Sequence, residues 1–562
     1  MTMPTFRVTR IRRTIAVGCA LGIAAFSAAL GASVPSAHAS GAHALIQGSG
    51  STWAANAVNQ WISDVEPNGL QVVYTGTGSA QGRTDFANNT VDFAVSDIGY
   101  QGVDPVTGAS DTSQGRNYAY LPIVAGGTSF PYHLIVNGKQ ITNLRLSGTT
   151  IADIFTNKIT NWDSPQIQHD NNLKAPLPSL QIIPVVHSEG SGDSAQFSRW
   201  LATDYASIWD RFGPKTFTEY WPRAGAQVAE NGSDSVINFV TQAAANGAIG
   251  YDEYSYALNV GYPVVKVLNK AGYYTLPNLY NVAVALTKAQ INYNKSSPDY
   301  LLQNLDNVYT NPEPQTYPLS SYSYMIEPTA ANDQKMTTAK RQTLADYLYY
   351  SICQGQKEMG PIGYSPLPVN LVQAGFAQIA QLKKADPGVN LTNENVTTCQ
   401  NPTFVAGHPK ENYLAQIAPK PPACDKEGQG PCLTDADNHL GNPKGGKAPS
   451  GGSSSSPTPT PGSSTGPGNT GKPGGGGPGP TANTPPTGPS TAASIDPNTG
   501  QLTSGSSLAG GSATVTGLQT DLPAGQGRGF QITLGILAGL LLVGAIVLPP
   551  LATHWLARKD SS

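Results

Sequence analysis

Gln47-Gly48-Ser49-Gly50-Ser51-Thr52-Trp53 lies between an apolar run and a helix-like segment, Ala54 to Ile62. Glycines let the backbone turn sharply, hydroxyls and exposed amides supply donors, and the first turn of the helix adds unpaired N–H groups and a positive dipole end. That combination makes an anion cradle. Tyr74-Thr75-Gly76-Thr77-Gly78-Ser79 and His187-Ser188-Glu189-Gly190-Ser191-Gly192-Asp193-Ser194 repeat it, each ahead of another helical segment. One such turn fits an ordinary loop. Three, each leading from a strand into a helix, point to convergence on one small polar ligand.

Working outward, Val72-Val73-Tyr74, Asp92 to Val95, Leu134-Ile135-Val136 and the run Leu180 to Val186 read as buried strands. Ala54 to Asp64, Thr84 to Asn88, Thr150 to Phe155 and Ser194 to Trp200 read as helices or helical turns between them. Strands alternating with helices predict an α/β fold with mainly parallel sheets. A compact region from about Ala44 to about Pro402 exceeds one core, so two lobes are expected. In such folds ligands sit beyond the carboxyl ends of strands, often between lobes.

The 61 glycines and 45 prolines show that part of the chain does not fold compactly. A formal net charge of −3 gives no reason to expect nucleic acid. Arg7, Arg10, Arg12 and Arg13 precede the apolar run Thr14 to Ala32, and Ala37-His38-Ala39 follows it, the three regions of a secretory signal peptide over 1–39. A retained anchor is the alternative. Cys353, Cys399, Cys424 and Cys432 remain after the signal, even in number and without a CxxC pair or a histidine cluster, so disulfides are expected and a metal site is not. Four cysteines allow three connectivities; the local one joins Cys353 to Cys399 and Cys424 to Cys432.

Further expectations are a Cys/Pro-containing extension over 403–443, a Gly/Pro/Ser/Thr-rich disordered stalk and polar juxtamembrane segment over 444–529, and one transmembrane helix over 530–557. Trp555 fits an interfacial anchor, and Arg558 and Lys559 lie in a short cytoplasmic tail, 558–562. The expected topology is a single-pass cell-membrane protein that meets lipid through its C-terminal helix and holds its binding domain outside.

The ordered set of motifs resembles the phosphate-binding proteins of the PstS family, the extracytoplasmic substrate-binding components of phosphate ABC importers. The matching residues are Gly48 to Ala54, Gly76-Thr77-Gly78-Ser79 with Gly82 and Phe86, Thr90 to Asp97, Glu189-Gly190-Ser191-Gly192, Gly247 to Tyr251 with Glu253-Tyr254, and Gly363 to Pro368. The resemblance implies a two-lobed type II periplasmic-binding-protein fold with hinge strands, spanning 40–402 and closing over a dehydrated oxyanion. Inorganic phosphate and the permease subunits of a phosphate ABC importer are the implied partners, with no cofactor.

Carried over by residue, the resemblance implies phosphate ligands at Thr52, Trp53, Ser79, Asp97, Ser191 and Gly192. Asp97 would accept the remaining proton of a phosphate, which sulfate lacks; its other reading is a helix cap or turn acceptor. Two positions depart from the family: His187 stands where an arginine is usual and Asp193 where a threonine is, and both changes weaken an anion site. Asp193 can instead cap the following helix with its carboxylate turned away, and Arg83, Arg199 or Arg223 can approach from elsewhere. The alternative function is therefore a PstS-like module for a different small ligand or a protein partner. No nucleophile-base-acid set stands out, so an enzyme is not expected.

Overall fold

The strands of the two sheets that bear on the site are, in chain order, β1 (Ile46–Gly50), β2 (Val72–Gly76), β3 (Phe93–Ser96), β4 (Tyr118–Ser129), β5 (Ile183–His187), β6 (Val228–Glu230), β7 (Ala248–Gly250), β8 (Asp252–Glu253) and β9 (Ser320–Pro328). The helices that concern the site are α1 (Ala55–Val65), α2 (Ser79–Ala87), α3 (Gly192–Asp204) and α4 (Ser233–Val240), with α5 (Val369–Ala385) near the end of the folded region. This computed structural model describes residues 43–391, 399–408 and 410–432.

The larger sheet runs β8-β4-β9-β3-β1-β2. β1 pairs in parallel with β2 and β3, whereas β9 pairs antiparallel with both β3 and β4. The expectation of mainly parallel sheets is corrected to mixed. The cause is the ladder of β4 and β9, which runs antiparallel from Tyr118 opposite Pro328 to Gly127 opposite Ser320. A smaller, all-parallel sheet runs β6-β5-β7. Leu134-Ile135-Val136 is not a buried strand of either: Ile135–Val136 pairs only with Lys139–Gln140 in a short hairpin, and Ile135 is exposed.

Burial accounts for the elements around the first turn. Every residue of β3 is buried, as expected of a strand covered on both faces. α1 buries Ala55, Val58, Trp61 and Val65, one face at helical spacing. Gly82 on α2 faces the β1 end so closely that an added Cβ would overlap the Gly50 Cα, which lets α2 lie against the sheet.

The chain leaves the larger sheet at Ser129–Phe130 and returns at Tyr251–Asp252, and these crossings pair antiparallel with Asp252 opposite Ser129. Phe155, Phe197, Trp221 and Tyr251 pack beside the smaller sheet, with Tyr251 ring centroids 5.0 Å from Phe197 and 5.3 Å from Trp221. Cys353 is joined to Cys399 and Cys424 to Cys432, the local pairing. Arg145 holds the second disulfide loop down by donating to the carbonyls of Cys424 (3.0 Å) and Gln429 (2.7 Å).

Among the described residues no helix is long and apolar enough to cross a membrane. α5, with 17 residues, carries Asn370, Gln373, Gln378, Gln381, Lys383 and Lys384 and packs through Leu371, Val372, Ile379 and Leu382. The segment 530–557 lies outside the described residues, as do the signal peptide, stalk and tail. The fold class is accordingly corrected to α/β with mixed sheets; the transmembrane helix, the lipid contact through it and the single-pass membrane localisation are not retained.

Candidate functional site

The three Gly/Ser turns meet at the ends of β1, β2, β3 and β5. The amides of Thr77 and Gly78 donate to the Gly50 carbonyl at 2.8 and 2.9 Å, joining the first turn to the second. The amide of Ala80 donates to the Gly190 carbonyl at 3.1 Å, joining the second to the third. Gly78 has φ +89°, and an added Cβ would stand 2.8 Å from Glu189 Cγ, so glycine is required there both by conformation and by space.

Asp97 lies just past the end of β3 at the centre of this junction and is 1% exposed. Ser51 Oγ donates to its Oδ2 at 2.7 Å and Ser79 Oγ at 2.9 Å. Gln196 Nε2 donates to its backbone carbonyl at 2.8 Å. Oδ1 has no protein partner. Burial pushes the Asp97 carboxyl up, and the neighbouring hydroxyls of Ser323, Ser51 and Ser79, with the Arg83 charge, offset only part of that. Gly192 packs so tightly on Asp97 that an added Cβ would overlap Oδ2.

Ser191 is the N-cap of α3: its Oγ accepts from the Asp193 amide at 3.1 Å. Asp193 does not cap the helix, because Ser191 already does. Its carboxylate turns toward His187, with Oδ2 3.7 Å from Nε2, and neither oxygen has a hydrogen-bond partner. His187, at the end of β5, bonds Glu189 Oε1 through Nδ1 at 2.7 Å and lies 5.2 Å from the Tyr251 ring. Burial would lower the His187 pKa, but Glu189 and then Asp193 outweigh it and raise it. Burial pushes Asp193, Asp252 and Glu253 well up, although His187 pulls Asp193 back.

Thr52 and Trp53 serve the junction differently from Ser79. Thr52 Oγ1 accepts from Ser233 Oγ at 3.1 Å, and its carbonyl accepts from Tyr256. Trp53 is buried, its indole N–H donating to Thr128 Oγ1 at 3.3 Å and its ring lying edge-on to Tyr364. Its side chain is packing.

Of the arginines named from the sequence, Arg83 is committed elsewhere, and Arg199 lines a cavity beside Asp97. Arg83 donates to Asp111 through Nε, to Ser96 through a terminal nitrogen at 3.0 Å and to Glu219 at 2.6 Å. Arg199 lies 3.9 Å over the Phe217 ring, and Arg223 is exposed.

Sequence reasoning missed Ser51 as the partner of Asp97, and missed Ser233, Asp252 and Glu253. A signal for Ser233 was present: Gly232-Ser233 is a fourth Gly/Ser turn between a strand, β6, and a helix, α4, with Gly232 at φ +77°. Asp252 carries no such signal, since its place follows from the returning crossing, and Glu253 stands in the Glu253-Tyr254 motif, which gave it no site role. A cavity of about 510 Å³ adjoins Asp97, lined among others by Tyr100, Gln196, Arg199, Phe217 and Tyr324.

A family model for the PBP superfamily domain matches residues 35–354. The chain belongs to the PBP superfamily. Its PBP domain is similar to the phosphate-binding protein PstS of Methanocaldococcus jannaschii, 27% identical over 365 residues that cover 63% of this chain and 90% of the relative. PstS 2 of Mycobacterium tuberculosis is 28% identical over 365 residues, covering 63% and 91%. PstS of Xylella fastidiosa is 29% identical over 332 residues, covering 58% and 83%. A solved phosphate-binding protein from Stenotrophomonas maltophilia superposes with a TM-score of 0.45 at 17% identity, covering 62% of this chain and 99% of that one. The PBP domain is thus related at family level to phosphate-binding proteins, a non-catalytic class, and the chain is not an enzyme.

Proposed function

We propose that this PBP-superfamily chain binds inorganic phosphate outside the cytoplasm and delivers it to the permease of an ABC importer. The observation that carries the reading is the meeting of three Gly/Ser turns on Asp97, whose Oδ2 takes two serine hydroxyls while Oδ1 remains unpartnered. A carboxylate with a free acceptor atom suits a protonated oxyanion and repels one without a proton. Ser51 and Ser79 each spend their single O–H on Asp97 Oδ2 and hold it in place, while the Thr52 hydroxyl, which accepts from Ser233, and the amides at the start of α3 supply donors, with Ser191 fixing that helix end and Gly192 admitting Asp97. The phosphate-binding names of the relatives support the same ligand class.

The test is competition. Labelled phosphate bound to the purified full chain should be displaced by unlabelled phosphate and not by equimolar sulfate, and Asp97→Asn should bring sulfate closer to parity. Equal displacement by both anions in the wild type rejects Asp97 as a proton acceptor. The cavity beside Asp97 favours a second reading, an organic oxyanion whose carbon portion occupies that space. Under that reading an organophosphate displaces the label better than inorganic phosphate does.

A further inference from the structure

His187, Asp193 and Asp252 come from three separate pieces of chain: the end of β5, the first turn of α3 and the returning crossing at β8. Their ligand-type atoms lie within 4.8 Å of one another. The side chains are between 0% and 1% exposed, and His187 Nε2, both Asp193 carboxylate oxygens and Asp252 Oδ2 have no hydrogen-bond partner. Unpartnered buried polar atoms are costly, and three residues that each bring one such ligand-type atom within 4.8 Å of the others call for a shared occupant.

The imidazole is already set for that occupant. Glu189 Oε1 holds Nδ1 at 2.7 Å, which in the neutral ring places the proton on Nδ1 and leaves Nε2, 3.7 Å from Asp193 Oδ2, as the atom that a metal ion would take in place of a proton. A carboxylate that orients a histidine through its far nitrogen is the usual outer support of a metal-bound imidazole. Asp252 is oriented in turn by the Glu253 amide, which donates to its Oδ1 at 2.8 Å and leaves Oδ2 free.

We propose that His187, Asp193 and Asp252 form a binding site for a divalent first-row transition-metal ion of the Zn²⁺ class. One imidazole nitrogen and two carboxylates suit that class, which is bound at about 2.0–2.2 Å by such atoms. Ligand atoms at that radius stand roughly 3.3–3.5 Å apart around a tetrahedral ion, so the His187–Asp193 edge at 3.7 Å is nearly closed and the widest edge closes by side-chain rotation. The fourth position is left for solvent or an anion. Charge favours the same occupant: Asp97, Asp193, Asp252 and Glu253 are all buried here, while Arg83 is committed to Asp111 and Glu219. In its second consequence the proposal rests on the phosphate reading: the cation would supply the positive charge that an oxyanion meets beside these carboxylates.

Zinc alone is the first probe. Chelator-treated full chain, titrated with Zn²⁺ by calorimetry, should show one equivalent that Asp193→Asn with Asp252→Asn weakens at least 100-fold. His187→Gln provides an independent variant should the pair fail to fold, and should lose the same equivalent. Exposed histidines such as His169 bind identically in every variant and cancel. Zinc should also raise the melting temperature of the wild type and not that of the variants. No zinc uptake by the wild type, or equal uptake by the variants, overturns the site and leaves a proton-sharing cluster. Phosphate is then titrated into the zinc-loaded, desalted chain and into the chelated chain. Zinc bound with no phosphate bound in either state keeps the metal site and rejects the phosphate reading; phosphate bound by a chain that takes no zinc does the reverse.

Discussion

Gly192 and Asp97 share one volume: the space a Cβ on Gly192 would need is filled by the Asp97 carboxylate. The contact ties the first turn of α3 to the end of β3, and so one sheet system to the other. Gly192→Ala should displace Asp97 from the Ser51 and Ser79 hydroxyls, costing about 1–3 kcal/mol of stability as overpacking and at least tenfold in phosphate affinity. Thermal melting together with phosphate calorimetry checks both parts; an alanine variant with unchanged affinity would show that Asp97 can move without consequence.

Selectivity should depend on pH through Asp97. Its folded pKa is raised by burial, beyond what its hydroxyl partners and Arg83 offset, so on acidification it takes up a proton earlier than an ordinary carboxylate. Ionised, it accepts from a protonated phosphate; protonated, it no longer excludes sulfate. Discrimination against sulfate should therefore be greatest at alkaline pH and shrink as pH falls. The stability sign follows from the same shift. Between the unfolded and folded values the native state holds more protons, so this group's contribution to stability declines as pH rises through that window. Competition binding at pH 5.5 and 8.0 checks the selectivity, and sulfate exclusion that strengthens on acidification would contradict it.

Arg83 should be a stability residue rather than an anion ligand. Burial alone would depress its pKa, but Glu219 and Asp111 hold it above its ordinary value. Arg83→Met leaves both carboxylates without a cation and should cost about 3–5 kcal/mol in urea unfolding, with little change in the phosphate affinity of the folded fraction. A variant that keeps its stability and loses phosphate would reverse the assignment.

The two disulfides should contribute unequally. Cys353 and Cys399 are separated by 46 residues and Cys424 and Cys432 by 8. Loop-closure entropy then gives about 4 kcal/mol for the first and about 2.5 kcal/mol for the second. Paired Cys→Ser variants measured by denaturant unfolding test the ranking.

Much of the candidate site's geometry was legible because its parts are local. Gly/Ser turns between strand and helix can be read directly, and Ser51, Ser79, Asp97, Ser191 and Gly192 all lie on or beside them. What escaped is set by long-range pairing. β4 and β9 were not read as strands, since Gly126-Gly127 and Ser320 to Ser323 interrupt the apolar signal of segments whose pairing buries them. Asp252 and Glu253 reach the site only because the returning crossing pairs with Ser129. Nor could the sequence tell that Trp53 would turn its indole to Thr128, or that Arg83 would be consumed by Asp111 and Glu219, because such choices among partners are made in three dimensions.

Direct calorimetric titration of inorganic phosphate into the purified full chain, beside Asp97→Asn and with the chain both zinc-loaded and chelated, decides whether the junction at Asp97 is a phosphate site. One phosphate should bind saturably per wild-type chain in at least one of the two metal states, without matching heat from sulfate. Absence of phosphate binding in both states, with the chain shown to be folded, would contradict it.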